Sequence, residues 1–208
     1  MFTGIIEVTA KVLRVVPSAG SRIVSIQRPA SFSPPKEGAS VACDGICLTV
    51  IRFSEAGFEV EVMAETLAKS TAGSWNAGTL LNLEQALKMG DRLDGHWVQG
   101  HIDRVAKLLQ TSTKGSTTWL RFSLEPRDRE LLVPQGSVAV NGVSLTVSEL
   151  ASSSFSVALI SHTRQTTNLG QLAPGAAVNL EYDVLGKYIR ALHKTGSLSL
   201  ESLYEKGY

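Results

Sequence analysis

A long-range internal repeat constrains the fold of this chain more than any other feature. The run Ala42-Cys-Asp-Gly-Ile-Cys-Leu-Thr-Val50 returns as Ala139-Val-Asn-Gly-Val-Ser-Leu-Thr-Val147. The same offset aligns Phe58-Glu-Val-Glu-Val62 with Phe155-Ser-Val-Ala-Leu159, Thr66 with Thr163, and Asn82-Leu-Glu84 with Asn179-Leu-Glu181. Near the start, Gly4-Ile-Ile-Glu7 aligns with Gly100-His-Ile-Asp103 at an offset one residue shorter, so one indel separates the blocks. Each copy far exceeds the roughly 20–50 residues of a solenoid repeat and must be a small domain in its own right. The 208 residues accommodate two such domains. Two like domains imply two like ligands, and the positions where the copies differ show how their roles diverged.

Within each copy the pattern is that of short antiparallel strands. Phe58-Glu-Val-Glu-Val-Met63 alternates with period two, as do parts of 155–160. Residues 22–26 and 118–122 occupy matching places, and 80–83 and 177–180 follow the Ala77-Gly78 and Pro174-Gly175 turns. Asp44-Gly45 and Asn141-Gly142 lie between apolar strands, where both residue types tolerate the positive φ of a tight hairpin. About six strands per copy predict a small antiparallel barrel or sandwich. Short helical pieces are expected near 64–70 and 161–167. The segment 184–193 changes character and places Leu185, Tyr188, Ile189 and Leu192 at helical spacing. It has no counterpart in the first copy, and an apolar helix outside both barrels needs a partner, so it reads as an oligomerisation element. After Gly196, Leu200, Leu203 and Tyr204 permit one further helical turn.

Composition and motifs exclude several classes. Hydrophobic content of 43% with 19% charged residues is that of a soluble globular protein. A formal charge of +1 provides no footprint for nucleic acid or an anionic membrane. No apolar run approaches the roughly 20 residues that span a bilayer, and Glu7, Lys11 and Arg14 interrupt any signal-peptide pattern. Cys43 and Cys47 are too few for a disulfide framework or a structural zinc site. The expected location is therefore the cytoplasm. Gly142-Val-Ser-Leu-Thr146 begins like a nucleophile elbow but puts Thr146 where glycine must stand, and neither dinucleotide-binding nor phosphate-binding glycine motifs occur.

Unshared positions carry the chemistry. Cys47 faces Ser144 across the repeat, Glu65 faces His162, His101 faces Ile5, and Asp183 faces Ala86. Shared glycine, apolar and threonine positions suit one flat polar heterocycle in each barrel. Taken singly, these residues have plainer readings. Cys47 reads as a structural thiol, His101 as a surface or satisfied imidazole, Ser144 and Thr146 as turn and sheet hydroxyls, and Asp183 as a helix N-cap.

Taken together, Met1-Phe-Thr-Gly-Ile-Ile-Glu7, Gly38-Ala-Ser-Val-Ala42, Cys47-Leu-Thr-Val50, Glu65-Thr-Leu67, Gly100-His-Ile102 and Gly142-Val-Ser-Leu-Thr-Val147 resemble riboflavin synthase over nearly the whole chain. The resemblance implies two six-stranded Greek-key barrels, at 1–96 and 97–184, and a C-terminal helix and tail, 185–208, that assembles three chains. It implies the conversion of two 6,7-dimethyl-8-ribityllumazines into riboflavin and 5-amino-6-ribitylamino-uracil, without metal or cofactor, at sites shared between neighbouring protomers. Lumazine synthase is the partner enzyme it suggests. By position, His101 and Ser144 would serve proton transfer, and Cys47, Thr146 and Asp183 would lie at the reacting centre, with Ser40 near the N-terminal pocket. Pocket contacts in the first barrel would be Gly4, Ile5, Ile6, Leu48, Thr49, Met63, Ala64, Glu65 and Thr66. In the second they would be Gly100, Ile102, Gln135, Leu145, Ile160, Ser161, His162, Thr163, Arg164 and Gln165. The family often carries lysine at Gln135, aspartate at Asn141 and glutamate at His162. The alternative from another class is a non-catalytic lumazine- or flavin-binding antenna protein of the same fold, and a tandem-barrel module without ligand is a third.

Overall fold

Positive φ at Asp44 (47°) and Gly45 (78°), and at Asn141 (46°) and Gly142 (79°), turns a tight hairpin at the same place in each copy. The structure, a computed structural model, describes residues 1–115 and 117–194; the expected turn through Leu200, Leu203 and Tyr204 lies outside the described residues. Strands β1 (Val8–Ser18), β2 (Ser21–Gln27), β3 (Ser40–Cys43), β4 (Ile46–Phe53), β5 (Gly57–Met63) and β6 (Leu80–Gln85) form the first sheet. Strands β7 (Arg104–Lys114), β8 (Thr117–Ser123), β9 (Ser137–Val140), β10 (Val143–Leu150), β11 (Ser154–Leu159) and β12 (Ala177–Tyr182) form the second. Each closes into an antiparallel barrel, in the orders β1-β2-β5-β4-β3-β6 and β7-β8-β11-β10-β9-β12, so the Greek key is built twice. Closure comes from β6 pairing back to β1 and β12 to β7.

Matched irregularities make closure possible. Register shifts fall between Val12 and Arg14 in β1 and between Leu108 and Gln110 in β7. They fall again between Val50 and Arg52 in β4 and between Val147 and Glu149 in β10. An extra residue on one strand bends it, which a barrel of only six strands requires. Inward positions alternate with outward ones, and each barrel encloses its own core, around Phe58 and Val60 in the first and Phe122 and Phe155 in the second. Helix α1 (Ala64–Lys69) follows β5, and α2 (Ser161–Thr166) follows β11, close to the expected places.

The barrels meet through a small apolar cluster of Phe2, Ala42, Val98 and Ala139, and through a buried polar network. Asn82 and Asn179, the repeated asparagines, are fully buried. The Asn82 side-chain amide donates to the Asn141 carbonyl (2.9 Å), and that of Asn179 donates to the Asp44 carbonyl (2.9 Å). Asp44 Oδ1 accepts from Asn82 N–H and from the Asn168 amide, both at 2.8 Å. Each hairpin turn is thus tied to the opposite barrel. Gly45 and Gly142 pack so closely that a Cβ on either would sit 2.7 Å from the other's nitrogen.

Helix α3 (Val184–Lys194) starts at Asp183, whose carboxylate accepts the Leu185 N–H (3.0 Å), as expected of an N-cap. It faces the second barrel with charge: Lys187 pairs with Asp103 (2.6 Å), and Arg190 with Asp128 (3.7 Å). Its apolar side chains Leu185, Tyr188 and Ile189 are 61%, 67% and 57% exposed.

Candidate functional site

On β4, alternation turns Ile46, Leu48 and Val50 into the core and leaves Cys47 and Thr49 on the outer face. On β10 the same alternation buries Leu145 and turns Ser144 and Thr146 outward. Leu48 and Leu145 were expected among the pocket contacts. Their side chains belong to the cores, so only their backbone can face a ligand. Directly across from Thr49 stands Ser40, and across from Thr146 stands Ser137. Two outward hydroxyl pairs therefore occupy equivalent places. The other cysteine, Cys43, lies in the core, where burial above all, then the charges of Asp44 and Cys47, push its thiol well above the ordinary value.

The segment preceding each barrel crosses to the other barrel. Ser144 N–H donates to the Gly4 carbonyl (2.8 Å), and Cys47 N–H donates to the Gly100 carbonyl (2.9 Å). Ile6 packs against the second core and Ile102 against the first. This corrects the expected grouping: residues 4–6 border the second barrel's groove, and Gly100, His101 and Ile102 border the first. The exchange was not readable from the repeat, because an offset aligns positions without saying which barrel each segment touches. Two buried carboxylates hold the crossings. Glu84 accepts from Thr3 N–H (2.6 Å), Thr3 Oγ1 (2.7 Å) and Gly4 N–H (3.0 Å). Glu181 accepts from the N–H groups of Gln99 (2.7 Å), Gly100 (2.9 Å) and His101 (3.0 Å). Burial raises both acids, Glu181 to about 6, against the pull of these donors. Their signal was present in the repeated Asn-Leu-Glu triplet, where an acid recurs beside apolar residues.

The first groove collects Cys47, Thr49, Ser40, Gly100, His101 and Ile102, flanked by exposed Met63 and by α1 with Ala64, Glu65 and Thr66. Glu65 is tied to Lys69 (2.6 Å), which lowers its pKa, and points to solvent. His101 is likewise exposed. The second groove collects Ser144, Thr146, Ser137 and residues 4–6, flanked by exposed Ile160 and by α2 with Ser161, His162, Thr163, Arg164 and Gln165. Thr163 is half-buried, whereas His162, Arg164 and Gln165 are exposed. Gln135 sits in a left-handed turn (φ 64°), its N–H donating to Val147 (2.9 Å) at the foot of β10.

Sequence reasoning missed His96. It falls between the repeats, with no counterpart to contrast it with. Its Nδ1 lies 2.7 Å from Ser144 Oγ, it is only 6% exposed, and its Nε2 is buried without a hydrogen-bond partner. Burial lowers its pKa, and the charge of nearby Asp183 partly opposes that. Asp183 and Ser137 also line a cavity of about 540 Å³ between α3 and the second barrel, walled by Leu131, Leu185 and Ile189. Among the described residues no three His, Cys, Asp or Glu side chains are placed to share a metal ion.

Fold and grooves together define a tandem lumazine-binding barrel protein: the family model of the lumazine binding domain matches residues 3–86 and again 99–183. The riboflavin synthase of Actinobacillus pleuropneumoniae is 35% identical over 215 residues, covering 100% of both chains. That of Brucella abortus (strain 2308) is 40% identical over 201 residues, covering 92% of this chain and 98% of its own. The chain belongs to the riboflavin synthase family. Its fold also matches the crystal structure of LumP complexed with 6,7-dimethyl-8-(1'-D-ribityl) lumazine, at TM-score 0.77 and 23% identity, over 87% of this chain and 98% of that one.

Proposed function

We propose that the protein catalyses the riboflavin synthase reaction as a transferase, moving a four-carbon unit between two 6,7-dimethyl-8-ribityllumazines to form riboflavin and 5-amino-6-ribitylamino-uracil. One observation carries this reading: the same outer-face groove is built twice but armed differently, with a thiol at Cys47 in one and a hydroxyl–imidazole pair at Ser144 and His96 in the other. A pure binding module needs one equipped groove, whereas joining two identical heterocycles needs two with unlike chemistry. Thr49 and Thr146 would hydrogen-bond the ring edges, with Ser40 beside Thr49 and the apolar flanks of Met63 and Ile160 against the ring faces. Cys47 would attack or shield C7 of one lumazine, and His101, Ser144 and Asp183 would manage protons. Holding two rings face to face can itself contribute about 7–11 kcal/mol.

The two grooves lie on different barrels, and the two rings would meet where a groove of one copy faces a groove of another. Helix α3 would supply the means, because Leu185, Tyr188 and Ile189 stay largely exposed while Lys187 and Arg190 pair with acids of its own barrel. We assign the working form as a homotrimer in the cytoplasm, drawing its substrate from lumazine synthase. The test is to incubate the protein with 6,7-dimethyl-8-ribityllumazine alone and follow riboflavin by absorbance. One riboflavin per two lumazines is expected. Tight binding without riboflavin would instead favour the antenna-type binding protein.

A further inference from the structure

We propose that Lys187 of helix α3 is a positioning residue for the first groove: through Asp103 and Glu181 it couples docking of the helix to placement of the crossing segment 99–103 beside Cys47. The effect on turnover rests on the dismutase reading above, whereas the coupling itself is a property of the fold.

The support beneath each crossing is built twice, and the second copy adds a cation. Glu7 N–H donates to the Leu83 carbonyl (3.0 Å), and Asp103 N–H, at the matching place, to the Leu180 carbonyl (2.9 Å). Glu7 in turn accepts from Gln85 N–H (2.7 Å), and Asp103 from Tyr182 N–H (2.9 Å). Each stands near a buried acid of the closing strand, Glu84 on β6 or Glu181 on β12, whose carboxylate gathers the backbone of the crossing segment. Burial chiefly raises Glu84 and Glu181, and the charges of Glu7 and Asp103 add to it. After β6 the chain enters the link between the barrels, and among the described residues neither Glu7 nor Glu84 forms an ion pair. After β12 it continues as α3, and Lys187 Nζ reaches Asp103 Oδ2 at 2.6 Å. With the Gln99 N–H, the same ammonium opposes the rise at Glu181.

Exposed ion pairs add little to stability, but these side chains are only 24% and 27% exposed and both ends are fixed. Lys187 N–H donates to the Asp183 carbonyl (3.3 Å), one turn into a helix that Arg190 also holds to Asp128 and to the Arg127 carbonyl. Asp103 ends the crossing segment, so the ammonium pins that segment directly. Glu181 holds its Gln99, Gly100 and His101 N–H groups, and the Gly100 carbonyl accepts Cys47 N–H (2.9 Å). Removing the lysine charge leaves two neighbouring carboxylates without their cation. Their repulsion is then relieved by movement of the segment, which shifts Gly100 and His101 against Cys47 while Arg190 keeps the helix in place.

The test uses the full-length protein as Lys187→Met, Lys187→Arg and Ile189→Glu. It reads amide hydrogen exchange at 99–103 and 3–7 by mass spectrometry, and the kcat and KM of riboflavin formation. In Lys187→Met, exchange at 99–103 should quicken by about tenfold or more while 3–7 stays within about threefold of wild type. The kcat should fall about tenfold with KM within about threefold, because misplaced reacting groups still bind. Lys187→Arg keeps the charge and should restore protection to within about threefold. Ile189→Glu keeps the ion pair and should leave 99–103 protected. Unchanged exchange at 99–103 in Lys187→Met would overturn the proposal, and equal quickening at 3–7 would do so by showing general loosening. Quickening in Ile189→Glu as large as in Lys187→Met would place the effect in assembly and overturn it too. So would protection that Lys187→Arg fails to restore, or a wild-type kcat beside quickened exchange. Should Lys187→Met misfold, Lys187→Gln removes the same charge and carries the same expectation. A wild-type protein that makes no riboflavin would overturn the dismutase reading alone, because amide exchange needs no substrate and still decides the coupling.

Discussion

Gly100 shows how one position without a side chain holds a groove together. Its φ is 84°, and a Cβ there would overlap Cys47 Cβ and stand 2.8 Å from Cys47 N. Gly100→Ala should lower the unfolding free energy by about 2–4 kcal/mol, combining backbone strain with displacement of the crossing segment from β4. Gly20 has φ 74° but open space around it, so Gly20→Ala carries strain alone and should cost about 1 kcal/mol. Denaturant titration of the two variants separates the effects, and equal losses would show that crowding against Cys47 contributes nothing. Cys47, Ser144 and Asp183 were legible as unshared positions within the repeat. His96 was not, because its role depends on a hydrogen bond to Ser144 across 48 positions of sequence.

At the scale of elements, the strands and hairpins were legible because period-two alternation and the Asp-Gly and Asn-Gly turns are local physics. Helix α3 was legible as amphipathic, but the direction in which it faces was not. Its cationic side docks on Asp103 and Asp128, and only the folded second barrel brings those carboxylates under it. The exposed side then predicts assembly. Ile189→Glu should leave barrel stability within about 0.5 kcal/mol, since a surface substitution disturbs no core. It should also convert the oligomer to monomer in sedimentation velocity and reduce riboflavin formation by more than about tenfold. Unchanged sedimentation would remove α3 from the assembly contact.

Across the whole molecule, the two barrels are joined through polar groups that are buried and paired, and one of them is an acid. Burial chiefly raises Asp44 from 3.8 to about 7, against hydrogen bonds from Asn82 and Asn168 that lower it. A carboxyl group raised in the folded state contributes stability that is complete below the unfolded pKa and is lost as pH rises through the folded one. Asp44 should therefore weaken the fold progressively between about pH 4 and 7, by on the order of 4 kcal/mol. Asn141 occupies the equivalent turn with φ 46°, so Asp44→Asn preserves the hairpin and both accepted hydrogen bonds. The variant should gain on wild type as pH rises from 5 to 8, read as a widening gap in denaturation midpoints (about 3 kcal/mol at the upper end). A constant gap would mean that Asp44 does not titrate in this window.

The sequence by itself determined that there are two like domains, that each is a sheet of short strands turned at Asp44-Gly45 and Asn141-Gly142, and that Cys47 and Ser144 occupy one repeat position in two versions. These are properties of neighbouring residues and of a fixed offset, and both are visible in one dimension. The tertiary structure alone decided that each sheet closes on itself, that residues 4–6 and Gly100, His101 and Ile102 exchange barrels, that Glu84 and Glu181 clamp the crossings, and that His96 stands behind Ser144. Each depends on contacts between segments far apart in the chain, where closure of a barrel, not local propensity, sets the distance between them.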